Sequence, residues 1–182
     1  INLNKKIKIA WDVGNGAMGA VIKEVIKNLK NSENILINDK VDGKFPNHHP
    51  DPTVPKNMEQ LISIVKEKNC DVGLAFDGDG DRVQFVAADG TIVDGDELLF
   101  IIARHRVSKG KAPLGVVGTL MSNLGLQQAL AEYGIQMDRT KVGDRYVLER
   151  MAERDWQLGG ETSGHIICGA RSYRGRRPVA TN

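Results

Sequence analysis

At 182 residues the chain has room for one large domain or two small ones, and 41% hydrophobic with 26% charged residues is an ordinary globular composition. The formal net charge of +2 belongs to the last fourteen residues, which hold four Arg and no acid, so the remainder is net negative and no basic face for nucleic acid is implied. No apolar run approaches the ~20 residues of a membrane span, and no signal peptide opens the chain, which starts on Ile1 rather than Met and reads as a fragment of something longer.

Ile7 to Val13 is a short apolar strand, followed by the turn Gly14-Asn15-Gly16-Ala17-Met18-Gly19. Val21, Ile22, Val25, Ile26 and Leu29 then recur at helical spacing, and Ile35 to Ile37 reads as a second strand. This is a βαβ unit whose turn matches G-x-G-x-x-G, with Asp39 about twenty residues on, the arrangement of a dinucleotide-binding module. The plainer reading is that these glycines only let the helix start close to the strand. Asp42 to Pro52 is a loop by its prolines and turn formers. Its His48 and His49 could be ligands or acid–base groups, but a loop histidine beside proline is more often a structural hydrogen-bond donor. Asn57 is expected to cap a helix whose apolar face is Met58, Leu61, Ile62 and Val65.

Cys70 to Phe76 reads as a buried strand, and Asp77-Gly78-Asp79-Gly80-Asp81-Arg82 follows it. Two unit charges about 6 Å apart cost roughly 3 kcal/mol at an effective dielectric near 20, so three carboxylates in five residues repel unless a cation sits among them. Oxygen ligands suit a hard cation, Mg²⁺ first, and the glycines let the carboxylates converge. A solvated turn built on Asx hydrogen bonds is the bland alternative. An EF-hand is excluded, because its sixth and twelfth positions would be Arg82 and Ala88 instead of Gly and Glu.

Val83 to Ala87 and Thr91 to Val93 read as a hairpin around Asp89-Gly90. A new section opens at Asp94-Gly95-Asp96: helix Glu97 to Arg106, a polar connection from Ser108 to Pro113, strand Leu114 to Leu120, helix Leu124 to Tyr133 entered through Ser122 or Asn123, and strand Gln136 to Val142. Gly143-Asp144 leads into helix Arg145 to Arg154, and Trp156 to Leu158 enters a last strand before Gly160-Glu161-Thr162-Ser163-Gly164-His165. The expected fold is α/β: two consecutive three-layer domains with mixed, mainly parallel sheets, over 1–95 and 96–168, then an irregular basic tail over 169–182. Cys70 and Cys168, each at a strand end, read as buried free thiols of an intracellular protein. Glu161, Ser163 and His165 group a carboxylate, a hydroxyl and an imidazole, suited to sugar hydroxyls; a Ser–His nucleophile is the rival, weakened by the absence of a G-x-S-x-G elbow. Gly143-Asp144 also suits a helix N-terminus with an acid near the dipole.

The Asp-Gly-Asp-Gly-Asp-Arg loop resembles the metal loop of the α-D-phosphohexomutases, and Gly160 to His165 resembles their sugar-recognition loop. Lys8 to Ala17 resembles the opening of their second domain, which binds no dinucleotide. Phe45 to Pro52 is similar to the phosphomannomutase/phosphoglucomutase branch, while Gly118 to Leu126 and Lys141 to Val147 are similar to the phosphoglucosamine mutase branch. The two likenesses change over near Val83 to Val93.

The resemblance implies that Asp77, Asp79 and Asp81 hold Mg²⁺ and that Arg82 lies near a phosphorylated serine. It implies that Glu161 and Ser163 grip sugar hydroxyls with His165 beside them, next to Gly143 and Asp144. It further implies a cytoplasmic enzyme that moves a phosphoryl group between the C1 and C6 oxygens of a hexose phosphate, of glucosamine, mannose or glucose. The nucleophilic serine and a phosphate-binding loop would lie in first and fourth domains outside residues 1–182. A dinucleotide-binding module on Gly14 to Gly19 and a non-catalytic metal-binding domain are the competing expectations.

Overall fold

The computed structural model of the protein describes residues 2–169, so the expected basic tail lies, beyond Gly169, outside the described residues. The chain divides into two compact units between Gly95 and Asp96. The polar stretch 108–113 lies inside the second unit.

The first unit carries a five-stranded sheet in the order β2-β1-β3-β4-β5, formed by β1 (Asn2–Asp12), β2 (Lys30–Ile37), β3 (Val72–Phe76), β4 (Val83–Ala87) and β5 (Ile92–Val93). β1 runs parallel to both β2 and β3, and β4 and β5 continue antiparallel. Successive residues of a strand face opposite sides, and β1 uses both. Ala10 packs with Met58, Leu61 and Val65 of helix α2 (Pro55–Glu67). Ile9, Trp11 and Val13 pack with Ile22 of helix α1 (Ile22–Lys27). Met58, Leu61 and Val65 are fully buried, each contributing about 1.5–3 kcal/mol by leaving water. Helices on both faces of the sheet make the expected three layers.

Several boundaries differ from the sequence reading. β1 begins at Asn2, its register shifting between Asn2 and Ile7, where the run Asn2 to Lys6 is too polar to announce a strand. β2 starts five residues early for the same reason: it is the sheet edge, and edge strands carry polar residues. Helix α1 spans six residues after a 3₁₀ turn at Ala17–Ala20, and Leu29, expected on its apolar face, falls beyond its end, just before β2. Helix α2 starts on Pro55 with Val54 before it, since a proline is preset for the first helical position. Asn57 is therefore inside the helix, and its side-chain amide donates to the Asp51 carbonyl at 2.9 Å.

The second unit carries the sheet β7-β6-β8-β9: β6 (Gly115–Thr119), β7 (Gln136–Thr140), β8 (Leu158–Gly160) and β9 (Ile166–Cys168). β7 and β8 run parallel to β6, and β9 is antiparallel to β8. Val116 faces Leu99 and Ala103 of α3 (Gly95–Ser108) and Leu126 and Leu130 of α4 (Leu124–Ala131). Val117 faces Val147 and Met151 of α5 (Asp144–Arg154). Asn123 caps α4, its side-chain oxygen accepting from the Leu126 N–H at 2.7 Å. Cys70 is buried, but Cys168, at the end of edge strand β9, is exposed, against the expectation of two buried thiols.

Candidate functional site

In each unit the candidate residues sit where the parallel strands end at their carboxyl edge, the usual place for ligands in open α/β sheets. In the first unit β3 delivers Asp77, and the ring of Phe76 lies parallel to that of Trp11 on β1, centroids 6.4 Å apart. Asp77 is fully buried and closes the loop on itself. Its Oδ1 accepts the N–H groups of Gly80 and Arg82 at 3.0 and 3.1 Å, and its Oδ2 accepts from Arg82 Nε at 2.6 Å. Gly80 is in the left-handed region at φ +83°, and a Cβ there would lie 2.6 Å from Met18 Cγ, so the turn tolerates only glycine. Burial pushes the Asp77 carboxyl up, but the Arg82 backbone N–H, the Arg82 guanidinium and Asp81 outweigh it and hold it below the ordinary carboxylate range.

Asp79 and Asp81 are exposed beside it, and one carboxylate oxygen from each of the three lies within 4.8 Å of the others. Opposite ligands of an octahedral Mg²⁺ at 2.1 Å are about 4.2 Å apart. Three hard oxygen donors at this span, one rigid and two on surface side chains, fit such an ion. Arg82 lies in the same cluster, with Nη1 at 3.8 Å from Asp51 Oδ1 and Nε at 3.9 Å from Asp81 Oδ1.

The glycine turn is occupied by protein. Asn15 N–H donates to the Asn38 carbonyl at 2.8 Å, and Ala17 N–H to the Gly78 carbonyl at 2.9 Å. A Cβ on Gly16 would meet Gly78 O at 2.6 Å, and one on Gly19 would meet Asp39 O at 2.5 Å. Donors that a dinucleotide-binding turn offers to pyrophosphate are spent here on neighbouring loops, and the following helix begins only at Ile22.

In the second unit the loops after β7 and β8 meet through one hydrogen bond, Gly143 N–H to Glu161 Oε1 at 2.8 Å. It brings Gly143 and Asp144, at the N-terminus of α5, beside the turn that carries Ser163. Glu161 N–H donates to the His165 carbonyl and Gly164 N–H to the Glu161 carbonyl, both at 3.0 Å. Glu161, Ser163 and His165 are half-buried, and Asp144 is exposed.

The sequence reading missed Asp96. It is fully buried at the start of α3, and its Oδ2 accepts the Asn123 N–H at 2.7 Å and the Thr162 hydroxyl at 3.0 Å. It thus ties the turn after β6 to the Glu161–His165 loop. An acid in a first helical turn is common for dipole reasons, and nothing in the spacing marks this one as a brace across 66 residues.

Two family models match: phosphoglucomutase/phosphomannomutase α/β/α domain II over residues 2–90 and domain III over residues 94–176. A phosphoglucosamine mutase of Pseudomonas syringae is 46% identical over 175 residues, which is 96% of this chain and 38% of that protein. One from Aeromonas salmonicida is 48% identical over 162 residues, 89% of this chain and 36% of its own length. The Pseudomonas match runs through both halves of the chain, across the stretch where the two branch likenesses change over. Among solved structures, a phosphoglucomutase/phosphomannomutase family protein of Burkholderia thailandensis superposes with a TM-score of 0.84 at 32% identity, over 92% of this chain and 36% of that one. An Aspergillus fumigatus N-acetylphosphoglucosamine mutase, solved with GlcNAc-6P and magnesium, shares the fold with a TM-score of 0.63 at 21% identity, over 88% of this chain and 34% of its own. The chain spans under two fifths of the curated relatives it matches.

Proposed function

This chain belongs to the phosphoglucomutase/phosphomannomutase family, of which it carries the second and third α/β/α domains, and on that premise we propose that it supplies the metal site and the sugar site of an enzyme interconverting hexose 6-phosphate and hexose 1-phosphate, with glucosamine phosphate as substrate. The observation that carries this reading is the 175-residue match, over 96% of this chain, to a phosphoglucosamine mutase at 46% identity. Asp77, Asp79 and Asp81 would hold Mg²⁺, which when bound offsets charge on a phosphoryl group in transfer. Arg82, locked on Asp77, presents its remaining guanidinium N–H groups to a phosphate. Glu161 and Ser163 accept and donate to sugar hydroxyls, and the Gly143 contact holds Glu161 at the N-terminus of α5. Among the described residues no helix is long and apolar enough to cross a membrane. A purely metal-binding domain would leave the Glu161–His165 loop and its Asp96 brace without a task.

The test is a pair of titrations of the ¹⁵N-labelled chain followed by NMR. Mg²⁺ should shift amides 77–82, and glucosamine 6-phosphate should shift amides 143–146 and 161–165, both with weak affinity. Asp79→Asn should remove the first set and leave the second. Shifts confined to other surfaces would overturn the assignment.

Turnover is expected to be absent. Phosphoryl transfer needs a group that carries the phosphate, and Ser163 sits among neighbours suited to hydroxyl recognition. Positioning by the rest of the enzyme is also required, an effect that reaches about 7–11 kcal/mol of barrier. A coupled assay with Mg²⁺ and glucosamine 1,6-bisphosphate checks this; turnover that vanished in Ser163→Ala would place the nucleophile here.

A further inference from the structure

His48, in the loop from Asp42 to Pro52, meets Asp12 in a contact that the proposed function does not use. Asp12, the last residue of β1, is buried, and its Oδ1 accepts the Gly14 N–H at 3.0 Å and the Asn38 side-chain amide at 2.9 Å. Its Oδ2 faces His48 Nε2 at 2.9 Å, while His48 Nδ1 faces the His49 carbonyl at 3.0 Å. A carboxylate and a carbonyl are both acceptors, and a neutral imidazole carries one N–H. It could satisfy one of them and would turn a lone pair on the other; only the imidazolium satisfies both.

The same loop bears on the aspartate loop. A methyl on Gly78 would meet Pro50 Cγ at 3.2 Å and Phe45 Cζ at 3.6 Å, so these two rings cover that glycine. Asp51 then reaches Arg82, which is bonded to Asp77. A continuous line of contacts therefore runs from Asp12 through His48, Pro50 and Asp51 to Arg82 and Asp77.

We propose that His48 is a positioning residue for the Asp77–Asp79–Asp81 loop: paired with Asp12, it clamps residues 45–51 over Gly78 and Arg82 and so sets the loop's affinity for a divalent cation. The effect on the cation rests on the metal reading above; the clamp itself does not. Asp12 is the charged group acting on the ring; the turn after β2 contributes Asn38 and α2 contributes Gln60 through Asn38, both neutral, and the ring's own loop contributes the His49 carbonyl. The Asp12 hydrogen bond raises the His48 pKa from its ordinary value of about 6.5, outweighing burial. A raised folded value means that the clamp is complete below about pH 6.5 and is lost as pH rises through that folded value. Carboxylate protonation weakens metal binding in the opposite direction, as pH falls.

The experiment uses the 182-residue chain with ¹⁵N-labelled imidazoles. His48 should show both ring nitrogens protonated at pH 6 and titrate above 6.5, and amides 45–51 and 78–82 should shift with the same midpoint. Mg²⁺ affinity should fall about three- to tenfold from below to above that midpoint. His48→Gln should hold affinity at the alkaline level across that range, and His49→Gln should leave the midpoint in place. His48 titrating at or below 6.5, or amides 78–82 blind to its titration, would overturn the clamp. A parent that binds no Mg²⁺ at any pH while those amides still follow His48 would leave the clamp standing and sink the metal reading instead.

Discussion

Asp77→Ala is expected to abolish Mg²⁺ binding and to lower the unfolding midpoint of the first unit by about 12–24 °C. The carboxylate is fully buried and satisfies the Gly80 and Arg82 N–H groups as well as the Arg82 guanidinium. Removing one partner of a buried ion pair costs about 3–5 kcal/mol, because the other charge is left without compensation. Arg82 keeps a third of its side chain in water, so the low end, about 3 kcal/mol, applies. A unit of this size loses about 4–8 °C per kcal/mol. Asp79→Asn and Asp81→Asn remove exposed charges, so they should weaken the metal and leave the midpoint within about 4 °C, since surface changes of this kind stay near 0.5 kcal/mol. Thermal unfolding by circular dichroism beside Mg²⁺ calorimetry separates the two roles. A parent-like midpoint for Asp77→Ala would mean that the loop is not built on this residue.

The place of the aspartate loop at the end of a strand was legible because the loop combines charge and punctuation within six residues. An apolar strand must end where Asp77 begins, and alternating glycines and carboxylates have few bland uses. The polar strands were not legible: β2 and the first half of β1 are edge or irregular segments whose pairing is decided by their neighbours, not by an alternating pattern. Nor was the reason for the glycines. G-x-G-x-x-G at a strand–helix junction is the same string whether the space above it receives pyrophosphate or another loop, and here Gly78 and Asp39 fill that space. The supporting residues were hidden by distance along the chain. Asp12 and His48 are 36 residues apart, and Asp96 and Thr162 are 66 apart. Each looks unremarkable locally, a strand-end acid, a loop histidine and a helix-start acid, and only the tertiary fold makes them partners.

Gly16→Ala is expected to destabilise the first unit by about 2–4 kcal/mol. The backbone at Gly16 has φ −86°, which alanine adopts without strain, so any loss arises from the added carbon alone. That carbon would stand 2.6 Å from the Gly78 carbonyl oxygen, 3.0 Å from the Asp77 carbonyl oxygen and 3.0 Å from Gly78 Cα. All three are backbone atoms, which cannot rotate away as a side chain would. The two loops must separate by several tenths of an ångström, and the Ala17 N–H to Gly78 O bond, 2.9 Å in length, stretches or breaks. Forced methyls in tight packing cost about 1–3 kcal/mol, here with about 1 kcal/mol more from the hydrogen bond. Because Gly78 lies between Asp77 and Asp79, the displacement also spreads the carboxylates, so Mg²⁺ affinity should fall at least tenfold while the second unit's response to glucosamine 6-phosphate is unchanged. Calorimetry with each ligand reads both outcomes. A dinucleotide-binding turn would behave differently: NAD binding would be measurable in the parent and lost in Gly16→Ala, with Mg²⁺ affinity untouched, and that result would return the glycine turn to the cofactor reading.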